Sequence, residues 1–203
     1  MFKSAIILAG GQSLRMGFDK QKIVIKGQAL MKCNLEAMAK YFDEIIIVTN
    51  RPAYDYSLYD KVRVIGDTFK GFGPISGLEA GLSSIQSKYA YVMGCDVIFD
   101  QHIAEKMYLI LSKCNLMGDV VKMVVAEKET NYFEPFNGLY AKSVLFELHE
   151  ALEHRVYSLQ KLIRVVEVKK VLAREEVERM GMQKIYLNFN TRDCIEDYVR
   201  QSI

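Results

Sequence analysis

Residues 6–20 read IILAGGQSLRMGFDK, and this stretch decides the predicted fold. An apolar run ends in the pair Gly10 and Gly11, and a polar loop with two basic residues, Arg15 and Lys20, follows. Two glycines at a strand end let backbone N–H groups approach a ligand without obstruction by Cβ, while Arg and Lys neutralise phosphate oxygens. The stretch therefore predicts a first strand followed by a loop that holds a phosphate-bearing ligand.

Two well-known phosphate loops do not match this stretch. A Walker A loop needs Gly-Lys followed by Ser or Thr, but the glycine after Gly11 is Gly17, and Phe18 follows it. The dinucleotide pattern GxGxxG fails because Gly10 and Gly11 are adjacent. P-loop NTPase and hydride-transfer functions thus lose their main support. A plain glycine-rich turn with solvated basic residues stays open as an alternative at this point.

The composition is that of a globular domain. The chain has 203 residues, of which 50% are hydrophobic and 26% charged, and its net charge is +2. We therefore expect a single domain over residues 1–203 and no basic field for nucleic acid. No apolar run approaches the ~18 residues of a membrane span. The cysteines are widely spaced and form no CxxC pair, which predicts reduced, mostly buried thiols in a cytoplasmic protein.

Short β-branched runs alternate with longer amphipathic segments along the chain. Strands are predicted at Lys3–Leu8, Glu44–Thr49, Val62–Ile65, Tyr89–Met93, Lys122–Ala126, Asn137–Ala141, Arg164–Lys169 and Lys184–Leu187. Helices are predicted at Ala29–Tyr41, Ile75–Ser87, Gln101–Lys113, Ser143–His154, Ser158–Ile163, Arg174–Met180 and Thr191–Gln201. This order predicts an α/β fold, a three-layer α/β/α sandwich around a Rossmann-like, mostly parallel sheet. The segment Glu127–Phe136 is predicted to be a loop over a site.

Polar side chains follow several of the predicted strands. Asp96 ends YVMGCD, Asp67 ends RVIGD, and Asn188 and Asn190 end a late strand in IYLNFN. Ligands of an open α/β sheet bind outside the carboxyl ends of the strands, so these groups are expected at one edge. Carboxylate oxygens there suit Mg²⁺, which holds phosphates through few carboxylates. The convergence favours a nucleotide site over a simple turn.

Four motifs, LAGGQSLRMGFDK, GPISGLEAGL, MGCD and NFNT, resemble in order and interval those of the molybdenum cofactor guanylyltransferases, the MobA family of nucleotidyltransferases. The resemblance extends from Ile6 to Tyr198 and implies a fold of the nucleotide-diphospho-sugar transferase type. It also implies transfer of GMP from GTP to the molybdopterin cofactor, release of pyrophosphate, and Mg²⁺ as cofactor. Molybdoenzymes or their chaperones are the implied protein partners.

The resemblance also implies roles for individual residues. The implied nucleotide-binding set is Leu8, Ala9, Gly10, Gly11, Lys20, Asn50, Asp67 and Asp96. Asp96 matches the magnesium-binding aspartate, while Lys20 and Arg15 would take charge on the β- and γ-phosphates. Asn188 and Asn190 match asparagines towards the metal and the acceptor. In EPFNGLY the chain departs from the family, which commonly continues its Glu-Pro motif with small or apolar residues where this chain has Asn137 and Gly138.

Two other functions stay open on the sequence. One is a related nucleotidyltransferase, such as a molybdopterin cytidylyltransferase or an enzyme that activates a sugar or another cofactor. The other is a non-catalytic adaptor that keeps the fold and binds nucleotide. The presence of Lys20 and Asp96 argues against the adaptor.

Overall fold

The computed structural model describes residues 2–10, 19–69 and 71–201. Its strands are β1 (Phe2–Leu8), β2 (Val24–Ile25), β3 (Gln28–Ala29), β4 (Phe42–Val48), β5 (Val62–Ile65), β6 (Tyr89–Gly94), β7 (Met123–Glu129), β8 (Tyr132–Ala141) and β9 (Lys169–Leu172). Its α-helices are α1 (Leu30–Met38), α2 (Pro74–Ser84), α3 (Gln101–Leu116), α4 (Leu145–Glu153), α5 (Leu159–Val165), α6 (Arg174–Arg179) and α7 (Arg192–Gln201). Short 3₁₀ helices cover Lys20–Lys22, Lys142–Val144 and Gln183–Tyr186.

The central sheet has seven strands within the described residues, in the order β5-β4-β1-β6-β8-β7-β9. β1 lies between β4 and β6 and is parallel to both, and the outer pairs β4–β5 and β7–β9 are parallel as well. Only β8 runs antiparallel to its neighbours β6 and β7. The predicted mostly parallel sheet is confirmed, and β8 separates a parallel half from the far edge.

Helices cover both faces of the sheet and bury two separate cores. Successive residues of β1 enter opposite cores: Ile7 packs among side chains from α1 and α3, and Ile6 among side chains from α2, α4 and α5. This double burial explains why β1 is a continuous apolar run instead of an alternating one. The three-layer α/β/α arrangement predicted from the order of elements is confirmed.

Helix α2 lies close against β1. A Cβ atom on Gly81 would stand 2.7 Å from Cγ2 of Ile6, which is closer than real Cβ atoms approach a neighbour. The helix begins at Pro74, whose fixed φ suits a first helical position. Glycine on its inner face and proline at its start thus bring the N-terminal end of α2 to the carboxyl edge of the sheet.

The predicted loop over Glu127–Phe136 is wrong. The segment belongs to the hairpin β7–β8, with a turn at Thr130 and Asn131. Asn131 adopts φ 58°, and its N–H donates to Oε1 of Glu127 at 2.8 Å. The polar residues on the exposed part of this hairpin have the composition of a loop, so the strands there were not predicted.

Two late strand predictions are also wrong. The segment Arg164–Lys169 contains the end of α5 because Leu159, Leu162 and Ile163 recur at helical spacing and pack into the core. The segment Lys184–Leu187 contains the end of a 3₁₀ helix, in which Ile185 is buried. β-Branched residues in short runs favoured the strands, but tertiary packing selected helices.

No helix in the described part of the chain is long and apolar enough to cross a membrane. All four cysteines are free thiols, and Cys95 is the buried one among them. Cys194 is exposed, so the expectation of mostly buried cysteines is wrong.

Candidate active site

Four strand ends bring the predicted site residues to one edge of the sheet. Because β1 pairs in register with β4 and with β6, Gly10, Asn50 and Asp96 leave the sheet side by side. Asp67 follows β5, the next strand beyond β4. The convergence expected from the sequence is confirmed for these residues.

A lysine and an aspartate form the centre of this edge. Nζ of Lys20 donates to Oδ2 of Asp96 at 2.6 Å and to Oδ1 of Asn190 at 2.8 Å. Nδ2 of Asn190 in turn donates to Oδ1 of Asn188 at 2.6 Å. The four side chains come from three distant parts of the sequence, so the contact depends on the complete fold.

Asn188 and Asn190 do not end a strand, contrary to the prediction. They follow the 3₁₀ helix Gln183–Tyr186 in a segment without regular secondary structure. The backbone N–H of Phe189, between them, donates to the carbonyl of Asp96 at 2.9 Å, and the Phe189 side chain is fully buried. A buried anchor and one backbone bond thus place both amides beside Asp96 without a sheet register.

The backbone around Asp96 is held by neighbouring strands. Cys95 N–H donates to the carbonyl of Leu8 at 3.1 Å, and Ala9 N–H donates to the carbonyl of Val48 at 2.9 Å. Burial raises the pKa of the Cys95 thiol to about 12, with the carboxylate of Asp96 adding to the rise. Cys95 is therefore a protonated packing residue at neutral pH and not a nucleophile.

Asn50 and Asp67 form a reciprocal pair on the parallel half of the edge. Nδ2 of Asn50 donates to Oδ2 of Asp67 at 3.1 Å, and the backbone N–H of Asp67 donates to Oδ1 of Asn50 at 3.0 Å. A Cβ on Gly77 at the start of α2 would lie 3.4 Å from Oδ1 of Asp67, and one on Gly10 would lie 3.8 Å away. Burial raises the pKa of Asp67, and the Asn50 hydrogen bond partly opposes the shift. The pair presents an oriented carboxylate beside Gly10.

Gln21 joins the loops on the parallel half of the edge, and nothing was predicted for it from the sequence. It is 3% exposed, and its Nε2 donates to the carbonyls of Ala9 and Arg51 and to Oγ1 of Thr49 at 3.0–3.3 Å. Its Oε1 accepts from the backbone N–H of Ala53 and the hydroxyl of Tyr56. The only signal in the sequence was its position next to Lys20, since glutamine is ordinarily a surface residue.

Glu134 is a second acidic group that the sequence analysis did not single out. The side chain is 6% exposed and lies in β8, beside the strand that leads to Asp96. Burial raises its pKa to about 7; the negative charge of Asp96 adds to the rise, and the N–H of Phe136 and the charge of Lys128 oppose it. Glu134 lies in the segment that was predicted to be a loop, and a glutamate in a loop is ordinarily exposed.

The donor set around Asp96 fits a hard cation. The ammonium of Lys20 already occupies a position between a carboxylate oxygen and an amide oxygen, which are the ligand types that Mg²⁺ prefers. In the described part of the chain no three His, Cys, Asp or Glu side chains come together as a metal group. A metal would therefore use Asp96 with amide oxygens, water and the phosphates of a ligand.

Two predicted site residues, Gly11 and Arg15, lie outside the described residues. Their roles stay predictions from the sequence. Of the remaining set, Leu8, Ala9 and Gly10 form the end of β1 and its exit from the sheet.

Comparison with known proteins agrees with this geometry. A family model described as the MobA-like NTP transferase domain matches residues 5–177. A probable molybdenum cofactor guanylyltransferase of Peptoclostridium acidaminophilum is 35% identical over 202 residues, which cover 98% of this chain and 89% of the relative. A molybdenum cofactor guanylyltransferase of Syntrophotalea carbinolica is 30% identical over 202 residues, with 98% and 92% covered.

Solved structures show the same fold at lower identity. The molybdopterin-guanine dinucleotide biosynthesis protein A of Archaeoglobus fulgidus superposes with a TM-score of 0.79 over 98% of both chains, at 21% identity. The bifunctional IspDF of Campylobacter jejuni superposes with a TM-score of 0.68 at 13% identity, over 97% of this chain and 54% of that one. The predicted nucleotide-diphospho-sugar transferase type of fold is confirmed.

Proposed function

Because the chain belongs to the family of MobA-like NTP transferase domains, we propose that it transfers the GMP group of GTP to the molybdopterin cofactor. The products are molybdopterin guanine dinucleotide and pyrophosphate, and the whole chain acts as one catalytic domain. The names of the relatives at 35% and 30% identity support this acceptor and this nucleotide. The contact of Lys20 with Asp96, at the edge where nucleotides bind in open α/β sheets, is the structural observation that carries the proposal.

The reaction is a displacement at the α-phosphorus of GTP. An oxygen of the acceptor's terminal phosphate forms the new P–O bond, the bond between the α-phosphorus and its bridging oxygen breaks, and pyrophosphate leaves with that electron pair. The attacking phosphate is already ionised near neutral pH, so no general base is needed. The protein's task is to align both substrates and to neutralise charge on the phosphates.

Lys20 supplies the charge at the centre of the site. Its side chain is 30% exposed, which leaves the ammonium accessible to a ligand, while Asp96 and Asn190 fix its position. We assign Lys20 to the β- and γ-phosphates, together with Arg15, and the backbone of Gly11 to the same phosphates. A cation that is oriented before the substrate arrives needs no reorganisation during the reaction.

Asp96, with the amide oxygens of Asn188 and Asn190, is the proposed Mg²⁺ site. The ion, when bound, supplies charge neutralisation on the phosphate oxygens at the reacting phosphorus. Asp96 is 7% exposed, so the protein itself restricts the direction from which a cation reaches the carboxylate. Because Lys20 contacts both Asp96 and Asn190, binding of a metal to these residues and the position of Lys20 are coupled.

The Asn50–Asp67 pair is the proposed guanine site. The Asp67 carboxylate lies beside Gly10, because a Cβ on Gly10 would stand 3.8 Å from its Oδ1, and β1 is the strand next to the one that leads to Asp96. Guanine presents two adjacent N–H donors, N1–H and the 2-amino group, and a carboxylate accepts both. Cytosine has no such donor pair, so this arrangement favours GTP over CTP.

Turnover with defined substrates tests the proposal. Purified protein is incubated with Mg²⁺ and each of the common nucleoside triphosphates, with and without molybdopterin, and pyrophosphate and the dinucleotide product are measured. We expect product from GTP only when molybdopterin is present. A preference for CTP, or release driven by a sugar phosphate, would replace this function by one of the related activities. Binding of GTP without turnover would instead support the adaptor.

The place of action follows from the same chemistry. The four cysteines are unpaired thiols, as suits a reducing compartment, and we propose that the enzyme works in the cytoplasm. Molybdoenzymes or their chaperones are the proposed recipients of the product.

A further inference from the structure

Strand β8 contains a large bulge opposite β7. Val124 faces Leu139 and Ala126 faces Glu134, so two steps along β7 correspond to five steps along β8. Bulges of this kind re-aim side chains and are frequent beside active sites. The irregularity begins at Glu134. This residue has a buried carboxyl group, and the reaction proposed above gives that group no role.

Specific contacts hold this bulge. The hydroxyl of Tyr140 donates to the carbonyl of Pro135 at 2.7 Å, and the hydroxyl of Tyr91 donates to Oδ1 of Asn137 at 2.7 Å. Asn137 is fully buried and adopts φ 54°, a left-handed conformation that is uncommon for residues other than glycine. Backbone strain supported by buried hydrogen bonds is typical of segments that position functional groups.

The bulge lies against the catalytic aspartate. A Cβ on Gly94 would stand 2.6 Å from Oδ1 of Asp96 and 3.5 Å from the ring of Phe136, so the carboxylate and the ring flank the same glycine. Glu134 lies in the strand next to β6, on the side of Asp96 away from Asp67 in the sheet order. Glu134 and Asp67 therefore stand on opposite sides of the reaction centre.

The carboxyl group of Glu134 has acceptor capacity to spare. Its Oε1 accepts from the backbone N–H of Phe136 at 3.2 Å, and among the described residues it forms no ion pair. A glutamine at this position would keep that hydrogen bond and would avoid burying a charge. Proteins depart from such local preferences mainly at functional sites, which indicates that the charge is used by a ligand.

The chemistry of the two carboxylates suggests which ligand Glu134 takes. A buried acceptor beside an aromatic ring suits a flat heterocycle with adjacent N–H donors. Guanine and pterin share such an edge, the 2-amino-4-oxopyrimidine edge, and Asp67 occupies the nucleotide side. We propose that Glu134 accepts the N–H donors of the pterin ring of the acceptor, with Phe136 beside that ring. This inference rests on the proposed acceptor and extends it to a specificity-determining residue.

Steady-state kinetics of Glu134→Gln test the inference. The amide presents a donor where the pterin needs an acceptor, so we expect the KM for molybdopterin to rise about 10- to 100-fold, the range of one lost bidentate contact. The KM for GTP should stay within about twofold of wild type. Glu129→Gln, exposed on the same hairpin, is the matched control and should change neither value.

A ligand-side change tests the same contact without altering the protein. Binding of free pterin (2-amino-4-oxopteridine) and of its analogue without the 2-amino group is measured by fluorescence for wild type and Glu134→Gln. Wild type should prefer pterin by at least about tenfold, and the variant should lose that preference. These measurements need no turnover, so they separate failure of this inference from failure of the proposed function.

Three results would overturn the inference. If the wild-type protein binds pterin and its analogue without the 2-amino group equally well, no group in the site recognises the 2-amino edge. An equal rise of the KM for GTP in Glu134→Gln would assign Glu134 to the nucleotide instead. Weaker Mn²⁺ binding by the variant, with pterin binding unchanged, would make Glu134 a metal ligand.

Discussion

Nζ of Lys20 lies 2.6 Å from Oδ2 of Asp96, although the two residues are 76 positions apart in the chain. Lys20 follows the glycine-rich segment after β1, and Asp96 follows β6, the neighbouring parallel strand. The pairing of β1 with β6 places Asp96 beside Gly10, and the side chain of Gln21, next to Lys20, donates to the carbonyl of Ala9 at 3.2 Å. Lys20 and Asp96 are therefore held at neighbouring strand ends, and such placement of charge is what phosphoryl transfer requires.

Removal of either partner of this pair should abolish turnover while the fold survives. Lys20→Ala deletes the positive charge assigned to the phosphates, and Asp96→Ala deletes the carboxylate proposed to hold Mg²⁺; loss of one such electrostatic contact lowers rates by about 10²–10³ or more. The measurement is kcat for dinucleotide formation, with circular dichroism as the check of folding. Lys22→Ala, exposed in the same 3₁₀ helix, should retain wild-type activity. Wild-type turnover by Lys20→Ala or Asp96→Ala would refute these assignments.

Asp67→Asn should change the nucleotide preference of the enzyme. The asparagine amide replaces one acceptor by a donor, so guanine loses a partner for its N–H groups, whereas xanthine, with oxygen in place of the 2-amino group, gains one. We expect kcat/KM for GTP to fall about 10- to 100-fold and that for XTP to rise. Competition between GTP and XTP in one assay measures the ratio directly.

Asn50→Ala serves as the companion variant for Asp67. It removes the hydrogen bond that orients the Asp67 carboxylate but leaves the carboxylate itself. GTP use should weaken without a gain in XTP use. Unchanged selectivity in Asp67→Asn would place the base elsewhere in the site.

The positions of the residues on the parallel half of the edge could be predicted from the sequence, because those positions depend on strand order. Gly10 and Asp96 follow apolar runs that could be read directly as buried parallel strands, and Asp67 follows the parallel edge strand β5; parallel strands bring their ends to one edge. Asn188 and Asn190 lie at the predicted edge of the sheet, but no strand places them there. The preceding 3₁₀ helix and the buried Phe189 determine their position.

The antiparallel half could not be predicted in the same way. The bulge in β8 depends on partners such as Tyr91 and Ile185, which are far away in the chain and contact Asn137 only in the folded protein. No local pattern indicates that Glu134 is buried, because a glutamate in a polar segment is ordinarily exposed. The burial of Gln21 could not be predicted for the same reason, because glutamine is ordinarily a surface residue.

Replacement of Gln21 should weaken both stability and nucleotide binding. Gln21→Leu leaves the buried carbonyl of Ala9, the carbonyl of Arg51 and the hydroxyl of Tyr56 without this partner. Unsatisfied buried groups of this kind lower the free energy of unfolding by about 2–5 kcal/mol in sum. Urea denaturation measures the loss, and the KM for GTP should rise because the loops beside Gly10 lose their link.

Gln28→Leu is the control for Gln21. Gln28 is exposed in the β2–β3 hairpin, and its replacement should leave the unfolding midpoint unchanged. Equal effects of the two substitutions would show that Gln21 has no special role in holding the loops.

Ionisation of Glu134 should make the free energy of unfolding depend on pH. Glu134→Gln should remove this dependence. Burial raises the pKa of this carboxyl from 4.5 to about 7, while Lys128 and the Phe136 N–H oppose the rise and Asp96 adds to it. The phenols of Tyr140 and Tyr186 also face Glu134 and are uncharged in this pH range. Well below pH 4.5 the group is protonated in folded and unfolded chains alike. As pH rises towards 7, the unfolded chain releases its proton first, and the folded state loses stability.

Glu134→Gln should therefore be more stable than wild type at pH 8 and differ little from it at pH 4.5. A shift of this size corresponds to at most about 3 kcal/mol in the free energy of unfolding. Denaturant titrations of both proteins at the two pH values give the difference, and Glu129→Gln, exposed on the same hairpin, should follow wild type throughout. If Glu134→Gln is less stable than wild type by the same amount at both pH values, the carboxyl group contributes to packing, and its ionisation does not destabilise the folded state.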